Sequence, residues 1–266
     1  MKKLKDLYKR FKMPFWTIIG TIGVFLIWYL ISLIANTTLF PGPELVLPQF
    51  CIYLTQLETY EAIGLTLLRL LISSVLSGLF GLILGIFAGL FPSFRVFLKP
   101  FITVFKTIPT AAVIFVIIAL IKPAFGPIII VFLITFPIMY ESVVSGFLSV
   151  DQTLIDAAKV DGAGKIKTVF KIYLPLSTNY IVLGLVSSIG LGMKVSIMSE
   201  ILAGSSSALG LGKLIRDAQL IVDMQSILAY SLMAIIIIGL IDIAIYFAKR
   251  KLNSSIKIKQ KKEDGN

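Results

Sequence analysis

Histidine is absent from the 266 residues and cysteine occurs once, at Cys51. Imidazole-dependent triads, zinc sites with His or paired Cys ligands, iron–sulfur clusters and intramolecular disulfides are therefore excluded, and no metal or cofactor is expected. The residues ahead of Cys51 (Leu47, Pro48, Gln49, Phe50) are bulkier than a lipoprotein cleavage site allows, so the cysteine reads as an isolated apolar residue. Charge is also scarce, at 15% of residues, with 14 acidic side chains against 25 basic ones. No Gly-, Ser- or Pro-rich linker, low-complexity tract or fixed-period repeat divides the chain, so nothing marks a second domain.

What is abundant is apolar surface: 57% of residues are hydrophobic and the mean hydropathy is +0.96. A soluble fold cannot hide that much, whereas a bilayer accepts helices of roughly 20 apolar residues whose backbone groups are satisfied internally. Runs of suitable length cover 15–35, 63–90, 101–121, 124–145, 179–203 and 226–248. The expected fold is an all-α membrane protein of about six transmembrane helices. The first run follows a basic start like a signal peptide, but it is too long for an h-region and lacks a small-residue cleavage pattern, so it reads as a retained helix.

The formal charge of +11 raises the possibility of nucleic acid, yet its distribution points to membrane orientation. With six crossings and the N-terminus inside, only Lys122, Lys213 and Arg216 among the basic residues outside the spans fall on the exterior. The others crowd the interior segments, so the positive-inside rule places both termini in the cytoplasm. The expected organisation is a basic cytoplasmic N-terminus (1–14), a transmembrane domain (15–250) whose long interior loop covers 146–178, and a basic cytoplasmic tail (251–266). The partner this implies is the lipid bilayer, not nucleic acid.

The interior loop carries the most information. Asp151 is placed to cap a short helix with Leu154, Ile155 and Ala158 on one side. Ala157 and Ala158 leave a small-residue surface that another protein can approach closely, and Gly162 permits the turn that ends the helix. A second helix is expected over 165–173, ended by Pro175, with Ser177, Thr178 or Asn179 capping the next span. The run Gly162-Ala163-Gly164-Lys165 imitates part of a phosphate-binding loop, but Ile166 replaces the required Ser or Thr and Lys159 stands where the first Gly belongs. The chain is thus not expected to bind ATP or to catalyse covalent chemistry.

Asp156-Ala157-Ala158, Gly162, Ile172 and Leu174-Pro175 match the EAA-x3-G-x9-I-x-LP pattern at every spacing, with Asp156 in place of the usual Glu. In this the sequence resembles the permease subunits of binding-protein-dependent ABC importers. Further pieces resemble the nitrate, sulfonate, taurine and thiamine-precursor branch: Phe40-Pro41-Gly42-Pro43, Thr66 with Arg69, Ile108-Pro109, Phe136-Pro137-Ile138, and Glu200 followed by Gly210-Leu211-Gly212. The resemblance implies a type I importer fold in the bacterial plasma membrane, with the short helix as a coupling helix docked in a cytoplasmic ATPase dimer. Asp156, Ala157, Ala158, Gly162, Ile172, Leu174 and Pro175 would form that ATPase-coupling site. It also implies an external or periplasmic substrate-binding protein and a second permease subunit, a homodimer being expected. The alternative is a secondary transporter driven by an ion gradient, which would call for an inverted repeat and no coupling loop.

The spans contain Arg69, Lys106, Glu141, Lys194, Glu200 and Asp242, and such charges demand interior pairing or a wet cavity. Arg69 and Lys106 lie near span ends, where snorkelling would serve. Lys194 is deep in the fifth span, either as a holder for an anionic substrate or as the partner of Glu141 or Asp242. Lys194, Glu200, Glu141 and Arg69 are the candidate translocation-pathway residues for a small anionic or organic solute. Gly81, Gly85 and Gly89 form a small-residue stripe that suits close packing within one bundle better than it argues for a dimer.

Overall fold

A computed structural model describes the backbone of residues 2–35, 39–122, 124–203 and 208–263, and the side chains of 15–35, 39–122, 124–203 and 208–247. The side chains of the basic ends, 1–14 and 251–266, lie outside those described.

The described chain is helical: α1 (Lys2–Ile34), α2 (Pro43–Tyr53), α3 (Leu57–Leu90), α4 (Pro92–Thr107), α5 (Thr110–Leu120), α6 (Gly126–Leu148), α7 (Gln152–Val160), α8 (Lys165–Thr168), a π-helical turn (Val169–Tyr173), α9 (Leu174–Ala203), α10 (Leu211–Leu220) and α11 (Met224–Glu263). Five helical stretches are long and apolar enough to cross a bilayer, and the α4–α5 pair makes a sixth if it counts as one crossing.

At the centre α6 is held between α3 and α9. A Cβ on Gly81, Gly85 or Gly89 would stand 2.6 Å from the Cβ of Met139, Val143 or Phe147 respectively. Each step of four residues along α3 is thus matched by a step of four along α6, and the two helices run parallel. The stripe is spent on packing inside one chain. Against α9 the order reverses: Gly146 meets Ser177 and Tyr180, and Gly184 meets Ser142. Because α3 and α6 are parallel, the chain between them must return across the same thickness, which makes α4–α5 a broken crossing.

That break corrects the expected single helix over 101–121. The helices α4 and α5 meet at 94°. Pro109 clashes with a helical residue before it, and Ile108 is accordingly extended at φ −65°, ψ 129°. A second correction concerns Pro175, which does not end a helix. Residues Lys165–Ala203 form one 39-residue helical stretch. The wider π turn just ahead of Pro175 accommodates the ring and the missing N–H, which would otherwise disrupt a regular α-helix.

Two short helices fill segments expected as polar connections. Trp28 Nε1 donates to the Pro41 carbonyl at 3.1 Å, and Pro43 opens α2 at a position where its missing N–H costs nothing. Tyr53 of α2 stacks on Tyr230 of α11 with ring centroids 4.3 Å apart, and its hydroxyl hydrogen-bonds Ser226. By contrast, α1 leaves most of its apolar surface uncovered within the protomer.

Replacing Gly85 with leucine should separate α3 from α6 and cost about 1–3 kcal/mol of stability, as overpacking a filled contact does. Leucine at Gly20, which among the described residues has no heavy atom within 4 Å of an added Cβ, should not destabilise and, as the better helix former, should raise stability by up to about 1 kcal/mol. Denaturing-detergent titrations followed by circular dichroism measure both, and equal midpoints would contradict the packing assignment.

Candidate functional site

Helix α7 is defined by its caps. The Asp151 carboxylate accepts from Thr153 N–H at 2.9 Å, and this backbone hydrogen bond holds its carboxyl below the usual range. The stabilisation is complete above the ordinary carboxylate pKa and is lost as pH falls through the depressed native value. At the other end Ala163 N–H donates to the Ala158 carbonyl at 2.9 Å and Gly162 N–H to that of Lys159 at 3.0 Å. These are the paired bonds of a Schellman motif, and Gly162 takes the left-handed conformation it requires, φ +73°.

Only Ile155 of this helix is fully buried; Ala157 is exposed and Ala158 half-buried. Asp156 reaches Lys159 at 2.8 Å, one turn along. Hydrogen bonds from Lys159 and then Gln152 lower its carboxyl, and the same contact raises the Lys159 amine. The structure thus gathers Asp156, Ala157, Ala158 and Gly162 into one capped unit. Ile172, Leu174 and Pro175 stand apart from it, on the π turn and the start of α9. Phe147 stacks on Tyr173 at 5.0 Å and fixes that turn against α6.

Four apolar side chains here escaped the sequence reading as surface features: Leu154 (48% exposed), Val160 (88%), Ile166 (77%) and Phe170 (66%). Their signal is an uncovered apolar residue in an otherwise basic loop.

At the far end of α9 lies a buried polar cluster. Arg69 Nη1 meets Glu200 Oε1 at 2.6 Å, with both side chains nearly solvent-free. Thr66 donates to the same carboxylate at 2.9 Å and accepts from Leu211 N–H at 2.9 Å. Gly212 N–H donates to Glu200 Oε2 at 2.9 Å, and Arg69 Nη2 to the Leu209 carbonyl at 2.8 Å. A Cβ on Gly212 would lie 2.6 Å from that of Glu200, so a side chain there would expel α10. Arg69 therefore does not snorkel: it clamps the 209–212 segment and α3 to α9. Thr66, Arg69, Glu200 and the Gly-Leu-Gly run were visible separately in the sequence, but not as one site.

The remaining span charges divide differently from expectation. Glu141 takes Lys106 at 2.8 Å, both partly exposed. Among the described residues Lys194 has no carboxylate within 4.0 Å, so neither proposed ion-pair partner holds it, and it faces outward from the protomer. Among the described residues, no group of His, Cys, Asp or Glu is suited to hold a metal.

Residues 81–258, which hold the capped helix and the central α6–α9 packing, match the family described as the binding-protein-dependent transport system inner membrane component. The chain belongs to that family. It is 32% identical over 228 residues to a probable ABC transporter permease protein of Brucella melitensis, covering 85% of this chain and 90% of the relative. A 57-residue segment, 21% of the chain and 23% of the relative, is 42% identical to the molybdate/tungstate transport system permease protein WtpB of Methanocaldococcus jannaschii.

Among solved structures, the fold is similar to the inward-facing MetNI methionine ABC transporter (TM-score 0.60, 17% identity, 73% of this chain and 95% of that one). It is also similar to a bacterial ABC transporter that imports the acidic polysaccharide alginate (TM-score 0.60, 19% identity, 94% and 99%). This permease is therefore a multi-pass membrane protein with the type I ABC importer fold, which sets aside the ion-gradient alternative.

In the permease, removing one partner of the Arg69–Glu200 pair leaves a buried charge uncompensated, at about 3–5 kcal/mol. Glu200→Leu and Arg69→Met should each cost that much, and the double variant far less than their sum. Additive losses in denaturing-detergent titrations would mean that the two side chains do not act as a pair.

Proposed function

We propose that the permease is the transmembrane subunit of an ATP-driven importer in the bacterial plasma membrane, passing a small anionic or organic solute delivered by an external binding protein. In this reading α7 is the coupling helix. Two copies of the chain enclose the pathway, a cytoplasmic ATPase dimer supplies the energy, and both termini are cytoplasmic. The basic segments 1–14 and 251–266 then flank the transmembrane domain 15–250, with the coupling loop at 146–178. The sequence tokens favour the nitrate, sulfonate, taurine and thiamine-precursor branch.

The observation that carries this reading is the form of α7: a helix capped at both ends, anchored by Ile155, with Ala157, Leu154 and Val160 turned away from the protomer. A short, rigid helix with small and apolar residues facing outward suits a groove in another protein. Its caps let it move as a unit, and its chain connection through α8 and the π turn to α9 carries that motion into the membrane. Asp156, held by Lys159, is positioned as a surface charge for the groove's rim. Ile172, Leu174 and Pro175 shape the joint between lever and span.

The permease purified in mild detergent from its native host should bring an ATPase with it, and Ala157→Trp should abolish that association while leaving the chain folded. Solute transport by the isolated chain in vesicles without a nucleotide-hydrolysing partner, or labelling of residues 151–163 from the cell exterior, would sink the proposal.

Lys194 supports the anionic character of the solute, since a span lysine with no carboxylate within 4.0 Å among the described residues can neutralise a passing negative charge. Lys194→Met should raise the KM for uptake by about tenfold, the loss of one charge-assisted contact, with little change in ATPase association. An unchanged KM would exclude this contact from substrate recognition.

A further inference from the structure

A cleft of about 520 Å³ opens between α4 and the second half of α6, within the roughly 300–1,000 Å³ typical of small-molecule sites. Arg95, Lys99 and Thr103 line one wall at four-residue intervals, and Tyr140, Glu141 and Ser145 line the other. It lies toward the end of the bundle where α6 runs on into α7, away from the Arg69–Glu200 clamp.

The charges in this cleft do not balance. Glu141 is engaged by Lys106, whose Nζ stands 2.8 Å from both carboxylate oxygens. Arg95 and Lys99 have no carboxylate within 4.0 Å among the described residues. Arg95 Nη1 is shut off from solvent and has no hydrogen-bond acceptor among the described residues. A guanidinium N–H without water or a partner is costly, and the planar fork suits a carboxylate, sulfonate or phosphate. The Thr103 hydroxyl is committed to the Lys99 carbonyl at 2.8 Å. The hydroxyls of Tyr140 and Ser145 have no such commitment among the described residues and are available as donors.

We propose that this cleft binds a small oxyanion, held by Arg95 and Lys99 and oriented by the hydroxyls of Tyr140 and Ser145. Occupation joins α4 to α6 beside the connection to α7. Two sources share this chemistry: a soluble carboxylate, sulfonate or phosphate, and the headgroup of an anionic phospholipid. The site stands whether or not an ATPase accompanies the chain, so failure of either proposal leaves the other intact.

The test uses the purified full-length chain in uncharged detergent. Thermal unfolding is followed with sodium sulfate or glycerol 3-phosphate against sodium chloride at matched ionic strength, and retained phospholipid is read by native mass spectrometry. Wild type should be stabilised saturably beyond the chloride control. Arg95→Gln with Lys99→Gln should weaken that response by about 10- to 100-fold, and Lys122→Gln should leave it unchanged. Ser145→Trp fills the cleft from the opposite wall without altering charge; its loss of response with cooperative unfolding intact supports the site even if the double variant fails to fold. A phosphatidylglycerol adduct lost in the variants identifies the lipid source, whereas a response by delipidated protein identifies the soluble one. Equal responses in wild type and the variants, or none beyond chloride, overturn the proposal.

Discussion

A carboxylate taken out of water must bring its own counter-charge and donors, and Glu200 does so with Arg69, Thr66 and Gly212 N–H. That requirement organises one end of the bundle. Arg69 and Thr66 lie on α3, Glu200 on α9, and the Leu209 carbonyl and the N–H groups of Leu211 and Gly212 lead into α10. Satisfying one charge therefore fixes two spans and a connecting segment together. Apolar contacts between the same helices carry no such direction; a buried pair with several directed hydrogen bonds adds a fixed register, because displacement would leave both charges without partners.

The same helix reaches the opposite end. The 39-residue stretch Lys165–Ala203 is about 58 Å long at 1.5 Å per residue, long enough to cross the bilayer and project beyond it. One end is clamped by Glu200; the other begins just after α7, with the π turn and Pro175 as the irregular portion between. In the proposed coupling, a force applied through α7 would meet a joint first and a regular α-helix afterwards. Along that helix α6 lies close enough that Gly184 faces Ser142 and Gly146 faces Ser177, so rotation of α9 cannot leave α6 unmoved. Small residues supply the intimacy and the charged clamp supplies the fixed point.

Local chemistry was legible in the sequence and azimuth was not. Asp151 and Gly162 announced the two ends of α7, because capping depends on neighbours within a few residues, and both act as expected. The apolar runs marked the crossings for the same reason. The pairing of charges did not follow: Glu141 takes Lys106 where Lys194 had been a candidate, and Arg69 finds Glu200 across 131 positions. Which charges meet depends on how each helix is rotated and staggered, and neither follows from hydropathy. The sequence also contained both prolines that reshape spans, yet their effects differ. Pro109 begins a new helix at a sharp bend, while Pro175 is absorbed after a π turn, since the outcome depends on whether packing can accommodate the altered backbone.

The final balance of intramembrane charge bears on what the pathway can accept. Of the three carboxylates in the spans, Glu200 and Glu141 are engaged by Arg69 and Lys106, and Asp242 on α11 is exposed with no basic group within 4.0 Å among the described residues. Lys194, facing outward from α9, and Arg95 with Lys99, beside α6, have no carboxylate within ion-pair distance among the described residues. In the proposed importer, a pathway lined by such groups would repel cations and lower the cost of admitting anions, because fixed positive groups replace part of the hydration an anion loses. Arg95 and Lys99 also count toward the interior charge that orients the chain, whereas Lys194, within a spanning helix, is not explained by orientation. Such selectivity would be coarse, by sign and not by shape, as suits the proposed delivery of the solute by a separate binding protein.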